Sequence, residues 1–394
     1  MQVLKYKYRL YPTDVQLTKL SQITGSVRYV WNHFLASEQK EYADNKKFKF
    51  YNTNSQDLTA LKQTTEWLNE VPSTSLQQTL RHLNLALKSS FKSVKNGKKG
   101  FPKFKAKRNF IASFSLTMVN ADRNIKDNKF YIPKVGDVHC VYHRALPSDF
   151  SSCQIKQEGD RWFVVITCRK ACVQTPKTHD TVGIDLNSKE YVLSDCTRYA
   201  IPKYLNENQI KIKSLQQDLS RKQKASINRT KAQLKLFKVH QRITNKRYDY
   251  FSKLSKELVT DYDTICLEDL NVASIQRKMG RVTQDNGFSM FRAMIVYKAE
   301  LYGKETVIID RYYPSSQLCS QCGTVQKMPL SERTYSCRCC DHVMDRDLNA
   351  AVNIHRAGMA RSAFGDTQEE SEAVMLGKLL GVEEEGSCVL FRAQ

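Results

Sequence analysis

Three acids stand where their type and spacing could do chemistry. Asp185 ends the run Thr181-Val182-Gly183-Ile184-Asp185, Glu268 ends Thr264-Ile265-Cys266-Leu267-Glu268, and Asp347 opens Asp347-Leu348-Asn349-Ala350-Ala351-Val352-Asn353-Ile354. Taken singly, an acid at a strand end is most simply a cap or a surface charge. Carried together by two rigid strands and a facing helix, three carboxylates can hold two Mg2+ ions about 4 Å apart, with Mn2+ as a substitute. One ion would activate water and the other would stabilise a leaving 3′ oxygen, which is phosphodiester hydrolysis. Helix geometry selects Asp347 over Asp345. At about 100° per residue, Asp347, Ala350, Ala351 and Ile354 share one face, and the alanines allow close approach to a sheet. Asp345 would lie opposite Ile354 and is expected to cap the helix.

The second constellation is Cys319-x2-Cys322-x14-Cys337-x2-Cys340. Two thiolate pairs on turns supply the four-sulfur tetrahedron that zinc prefers, and the full ligand set leaves no position for an activated water. One structural Zn2+ is therefore expected, although the spacer is one residue short of the usual ribbon range. Cys339, inside the second pair, is expected to be a buried extra thiol. The chain has 12 cysteines, unevenly spread over 394 residues, which does not fit a disulfide scaffold. The seven outside the cluster, including Cys168, Cys196 and Cys266, read as buried thiols.

These residues need elements to position them. Val3 to Leu10 alternates and predicts a strand; Thr13-Asp14 then opens a helical pattern through Leu17, Leu20, Ile23, Val27, Val30 and Phe34. A second helix is expected over Ser75 to Val94, and short strands over residues 110 to 175, such as Phe130 to Ile132 and Trp162 to Thr167. The strand ending in Asp185 has Glu190 to Ser194 as its hairpin partner. No proline or glycine falls between Pro202 and Gly280, and Ile212, Leu215, Leu219, Leu236, Val239, Ile243, Phe251, Leu254 and Leu258 keep helical spacing. The strand ending in Glu268, a helix near Met290 to Tyr302, a strand over Thr306 to Asp310 and a short helix from Asp347 to Arg356 follow. The boundaries read are 1–175 (helical part about 13–105), 176–318 with a helical hairpin over 203–258, 319–340, 341–360, and an acidic, mobile tail over 361–394.

Charge says what these elements meet. The chain carries 62 Lys and Arg against 40 Asp and Glu, a net of +22. Such a surplus points to a polyanion, because each phosphate contact releases condensed counterions. Residues 98–108 hold six bases, no acid and two phenylalanines, a mix suited to phosphates and stacked bases, with Lys103, Lys105, Lys107 and Arg108 as candidates. Residues 211–256 hold 14 bases and two acids. That density suits a hairpin laid along a nucleic-acid backbone, with Arg221, Lys222, Lys224, Arg229, Lys246 and Arg247 as contacts. The basic stretches lack the aromatic-lined amphipathic character of interfacial helices. No apolar run approaches the roughly 18 to 20 residues that span a bilayer. A cytoplasmic, nucleoid-associated protein is expected.

An Asp strand, its hairpin partner, a helical insertion, a Glu strand and a last helix with Asp form an RNase H-like plan. From Tyr6 to Ala357 the chain closely resembles the TnpB (OrfB) proteins of insertion sequences, relatives of the type V CRISPR effectors. The resemblance rests on KYRLYPT, GSVRYVWNHFL, FPKFKAKR, VGIDLNSK, SRKQKAS, NKRYDYFSKLSKEL, LEDLNV, YPSSQLCSQCG and DRDLNAAVNI. It implies an α/β multidomain protein: a RuvC nuclease core with helical insertion and zinc ribbon, and an N-terminal β-barrel (wedge) with an inserted helical recognition lobe. It implies a guide RNA from the transposon end, double-stranded target DNA with a short adjacent motif, and one RuvC-type site at Asp185, Glu268 and Asp347. The zinc ligands map onto Cys319, Cys322, Cys337 and Cys340, and the motif-reading surface onto Tyr51, Ser73, Thr74 and Gln77. Ser73 and Thr74 stand where relatives carry other residue types, Asn187 where Gly is frequent, and Asp341 where Gly is common. A monomer with one RNA is favoured.

The reading is an Mg2+-dependent, RNA-guided DNA endonuclease. A guided repressor that does not cut would not need the intact triad. A carboxylate-triad transposase would not need the basic insertion to hold RNA. A zinc-ribbon transcription factor leaves the acids unexplained.

Overall fold

The structure, a computed structural model, describes residues 2–95, 101–107, 112–146, 150–173, 175–271, 287–329 and 331–363. Arg108, Lys98, Lys99 and the acidic tail from residue 364 lie outside the described residues. The chain divides into two units, Val3–Arg169 and Met1–Gln2 with Lys170–Gln394.

In Val3–Arg169 the alternating N-terminal segment forms β1 (Gln2–Tyr11). It shares a seven-stranded sheet, in the order β2-β6-β7-β1-β5-β4-β3, with β2 (Ser113–Thr117), β3 (Ile125–Lys126), β4 (Lys129–Ile132), β5 (Gly136–Val141), β6 (Phe150–Glu158) and β7 (Arg161–Lys170). Neighbours β4 and β5, and β6 and β7, pair antiparallel, as does β1 with β5. Helices α1 (Asp14–Asn45), α2 (Phe50–Thr64) and α3 (Ser73–Lys95) fill the connection from β1 to β2, and a single turn, α4 (Ala121–Asn124), precedes β3. Thr13 and Gln16 close a capping box that starts α1. Helix α2 left no apolar period in the sequence because it buries only Asn54 and Leu58. Tertiary contacts set its start: the buried Glu38 carboxylate accepts hydrogen bonds from the backbone N–H groups of Lys49 (3.0 Å) and Phe50 (2.9 Å) and from the Asn54 amide (2.5 Å).

The second unit is built on a five-stranded sheet of β8 (Thr181–Leu186), β9 (Glu190–Leu193), β10 (Arg198–Ala200), β11 (Thr264–Glu268) and β12 (Glu305–Ile309). Its order is β10-β9-β8-β11-β12. β8, β9 and β10 pair antiparallel, while β11 runs parallel to both β8 and β12. The insertion between β10 and β11 consists of one turn, α5 (Tyr204–Glu207), then α6 (Gln209–Arg221) and α7 (Ile227–Asp261). α8 (Phe288–Tyr302) precedes β12, and a small ribbon, β13 (Thr334–Ser336) with β14 (Val343–Asp345), leads into α9 (Arg346–Ala363). One sheet face packs Ile265 and Leu267 against Phe251 and Leu258 of α7 and Phe291 and Met294 of α8. Strand alternation turns Cys266 to the other face, where it meets Val307, Ile309 and Ile354 of α9.

α9 sits very close to the sheet. A Cβ on Gly183 would stand 2.4 Å from the Ala351 carbonyl oxygen and 2.5 Å from the His355 nitrogen. One on Gly358 would stand 2.3 Å from Cys266 Sγ. Both glycines are notches that let helix and sheet approach. Thr181 Oγ1 and His355 Nε2, 2.7 Å apart, add a polar tie. The helix also outruns the expected Arg356 end, and Arg361 Nη1 donates to the Ile308 carbonyl at 2.8 Å.

Candidate carboxylate and cysteine sites

β8 and β11 are adjacent and parallel, so the acids at their C-terminal ends lie side by side. Asp185 follows Ile184, which pairs with Leu267, the residue before Glu268. α9 crosses the same region through its notch at Gly183. Its face of Ala350, Ala351 and Ile354, 0–2% exposed, is buried and carries Asp347 inward. Asp345 precedes the helix and accepts hydrogen bonds from the backbone N–H groups of Asp347 (3.1 Å) and Leu348 (3.0 Å), so it is the N-cap. Arg198 holds it at 3.0 Å.

Asp185 feels both of the other acids. Burial and the like charges of Glu268 and Asp347 push the Asp185 carboxyl well above the usual carboxylate range, with the Arg346 guanidinium pulling the other way. Burial also raises Glu268, against the lowering effect of a hydrogen bond from the Ser315 hydroxyl. Asn187 Nδ2 donates to Asp347 Oδ2 at 2.5 Å, and Arg333 Nη1 stands 3.8 Å from the same oxygen. Asp269, the next acid along from Glu268, is engaged elsewhere. Burial would raise it, but hydrogen bonds from Arg292 and Arg311 outweigh burial and hold it below the usual range. The arrangement brings carboxylates from three elements to one region, a donor type suited to hard divalent cations.

Cys319, Cys322, Cys337 and Cys340 bring their sulfurs within 4.8 Å of one another. Among the described residues no other group of three or more His, Cys, Asp or Glu gathers its ligand atoms so closely, the three acids included. Cys319 and Cys340 sulfurs are 3.7 Å apart, and Cys322 and Cys337 sulfurs 3.6 Å. The edge of a four-sulfur tetrahedron with metal–sulfur bonds of about 2.3 Å is about 3.8 Å, so the quartet can hold a metal ion. Asp341 has φ 53°, a left-handed conformation that Asp tolerates, at the position where the resembled family carries glycine. Cys339 is exposed, not buried; its backbone N–H donates to Cys337 Sγ at 3.4 Å. Cys196 and Cys172 are also exposed, Cys196 because it sits in a turn after β9 with φ 76°, while Cys140, Cys153, Cys168 and Cys266 are buried as expected.

Two buried asparagines, absent from the sequence expectations, join both sites. Asn353 Nδ2 donates to the carbonyls of Ser315 (2.9 Å) and Leu318 (2.7 Å). Asn349 Nδ2 donates to Leu318 O at 2.8 Å and its Oδ1 accepts from Ser320 N at 2.9 Å. Helix α9 thus holds the loop whose Ser315 reaches Glu268 and whose Cys319 begins the quartet. A polar residue on a helix face gives no such signal in sequence, since its partner is tertiary.

The candidate nucleic-acid residues fall into two sets. Lys224, Arg221 and Lys246 are exposed along the insertion, and Lys222 pairs with Asp218 at 3.0 Å. Arg229 instead turns back on α6, donating to Leu219 O (2.8 Å) and Lys222 O (3.2 Å), and Arg247 is half-buried. In the other unit Ser73 and Gln77 are exposed, Thr74 and Tyr51 half-buried, and the Arg81 guanidinium stands 5.2 Å from the Tyr51 ring. Lys103 and Lys107 are exposed, whereas Lys105 points inward. Among the described residues no helix is long and apolar enough to cross a membrane.

The fold is similar to that of a Cas12f1 solved in complex with sgRNA and target DNA, with TM-score 0.52 and 15% identity over 86% of this chain and 82% of that one. Residues 288–354 match the family described as Cas12f1-like, TNB domain, residues 155–279 the one described as Probable transposase, and residues 1–57 a Helix-turn-helix domain. A Streptomyces pristinaespiralis protein named as an RNA-guided DNA endonuclease is 37% identical over 92% of this chain and 90% of its own length. InsQ of Escherichia coli K12, named likewise, is 28% identical over 92% and 94%. The chain belongs to the TnpB (OrfB) family.

Proposed function

We propose that this chain, an RNA-guided DNA endonuclease of an insertion-sequence element, hydrolyses target DNA at Asp185, Glu268 and Asp347. The carrying observation is that Asp185, where two parallel strands end, is buried and feels the like charges of Glu268 on β11 and Asp347 on α9. The strand order supports the same reading: three antiparallel strands followed by two parallel ones is the RNase H-like, RuvC arrangement. When bound, divalent cations, Mg2+ first, would supply Lewis-acid activation of water and relief of charge on the leaving 3′ oxygen.

The chain's own contribution is position. Asn187 engages one oxygen of Asp347 and Ser315 one oxygen of Glu268, which fixes how each carboxylate is presented. Carriage on two strands and a notched helix suits the small positional tolerance that such a site would need. Zn2+ is the metal that the cysteine quartet suits, in a structural role. Guide RNA and motif-bearing DNA are the partners that the basic hairpin and the N-terminal lobe suit, with Tyr51, Ser73, Thr74 and Gln77 at the motif and the seven-stranded sheet as the wedge.

The test is Asp185→Ala and Glu268→Ala in the full chain purified with its RNA. Cleavage of a target plasmid should vanish while the RNA still co-purifies. Persistent cutting by either variant would remove the acids from the mechanism; cutting absent from the wild type with every guide supplied would remove the nuclease reading.

A further inference from the structure

A small cavity in the N-terminal unit has no part in the reading so far. It measures about 50 Å3 and lies between α3, the loop over residues 101–107, and strands β2 and β6. Its polar lining comes from Ser75, Gln78, Thr79 and His82 of α3, Lys105 of the loop, and Ser113, Ser115 and Gln154 of the strands. Among the described residues no Asp or Glu lines it, and one lysine with a wall of hydroxyls and amides favours an anion there.

Two features set this apart from an ordinary polar gap. Lys105 is held inward: Asn32 Nδ2 donates to the Lys105 carbonyl at 3.1 Å, Asn32 Oδ1 accepts from its N–H at 2.8 Å, and Trp31 Nε1 donates to Lys103 O at 3.2 Å. The Lys105 ammonium lies 3.7 Å from the centre of the Trp31 ring. Burial there brings its pKa down to about 8, so a bound anion would restore the charge that burial disfavours. The second feature is Ser75, a residue of the cavity wall, 1% exposed, whose buried hydroxyl has no hydrogen-bond partner in the protein. A buried hydroxyl without a protein partner is rare in folded proteins, and a water or an anion can satisfy it.

We propose that this cavity seats a backbone phosphate of the bound nucleic acid, taking hydrogen bonds from Ser75 and Gln78 and charge from Lys105. The space exceeds one water's share of liquid, about 30 Å3, and suits an oxyanion better than a base with its sugar. Ser75 stands in the first turn of α3, where the helix dipole favours an anion. Ser75, Gln78, Thr79 and His82 follow i, i+3, i+4, i+7 and form one helix face; Ser73 and Gln77 form another. A phosphate gripped on the first face fixes register without reading sequence, beside the face proposed to read it. This rests on the nucleic-acid reading of the N-terminal unit given above.

The experiment uses the full chain with Ser75→Ala or Lys105→Met. Two affinities are measured: that of the chain for its guide RNA, and that of the RNA-loaded chain for target DNA. Each variant should lose about tenfold in one of the two. Single neutral methylphosphonates are then placed along the affected strand. At one position the neutral linkage should weaken wild type about as much and weaken neither variant further. Ser75→Ala should also leave the melting temperature of the free chain unchanged or higher, because it removes an unpaired buried hydroxyl. Loss in the RNA arm assigns the phosphate to the guide, and loss in the DNA arm assigns it to the target. Unchanged affinity in both arms, or losses additive with every methylphosphonate, overturns the proposal. That outcome leaves the nuclease reading intact if the same preparations still cut guided DNA.

Discussion

The notch at Gly183 makes a quantitative prediction, because it sets how far α9 stands from the strand that carries Asp185. In Gly183→Ala the new Cβ would lie 2.4 Å from Ala351 O and 2.5 Å from His355 N, both backbone atoms of α9. No side-chain rotation relieves this, so the helix has to retreat by about 1 Å to restore ordinary contact. Overpacking of this kind costs about 1–3 kcal/mol, which for a unit of this size is about 4–8 °C in melting temperature at 2 kcal/mol. The retreat carries Asp347 away from Asp185 and Glu268, and a displacement near 1 Å at a reacting centre costs about 100-fold in rate. The assay is single-turnover cleavage of a guided plasmid by RNA-loaded protein, with RNA content and melting measured on the same samples. RNA content should not change. Gly25→Ala is the control: in α1 its Cβ would meet nothing within 4 Å, so it should gain about 0.5–1 kcal/mol. Cutting by Gly183→Ala within threefold of wild type would refute the argument that this contact sets the site's geometry.

Other expectations follow from the same structure. The Asp185 and Glu268 carboxyls are raised when folded, so without divalent cations the folded chain keeps protons that the unfolded chain has lost. Stability should then fall as pH rises above about 4. Asp185→Asn should melt higher than wild type at pH 7 in chelator, and a lower melting point would contradict the shift. Cys322→Ser should lower both zinc content, read by elemental mass spectrometry, and the melting temperature; unchanged values would deny the quartet its metal. Asn353→Leu strips the Ser315 carbonyl of this donor at about 1–3 kcal/mol, leaves the Leu318 carbonyl to Asn349, and should slow cleavage more than it weakens RNA binding. Arg221→Ala and Lys224→Ala should each reduce the salt slope of RNA binding by about one, whereas Arg229→Ala, which frees the α6 carbonyls, should lower melting instead; equal salt effects from all three would merge the two roles.

The elements around the acids were legible because their signals are local. VGID and TICLE are continuous apolar runs, and the strands β8 and β11 lie over them. The choice of Asp347 over Asp345 needed only helix periodicity, and the buried Ala350, Ala351 and Ile354 follow it. Paired cysteines at short spacing announce a cluster without any fold. What escaped has a partner far away in sequence. Asn349 and Asn353 look like an ordinary polar helix face until the 315–320 loop is laid against them, and Ser315 looks like loop until Glu268 is placed. Arg229 counted as one more base in a basic stretch, yet it caps the helix before its own. Cys196 and Cys339 were expected to be buried because cysteine usually is, but each sits on a turn, where backbone geometry decides exposure.

The closeness of α9 to the sheet has a consequence for how the protein is made. Asp347 lies 79 residues after Glu268 and is delivered by an element that seats only once the cysteine quartet has been synthesised. At about 5–20 residues per second, a nascent chain spends roughly 4–16 s with two acids in place and the third not yet made. During that interval the strands can form while the site lacks one wall. On the proposed assignment, translation order would keep unfinished copies, and any chain truncated before the last helix, from having a complete acid site.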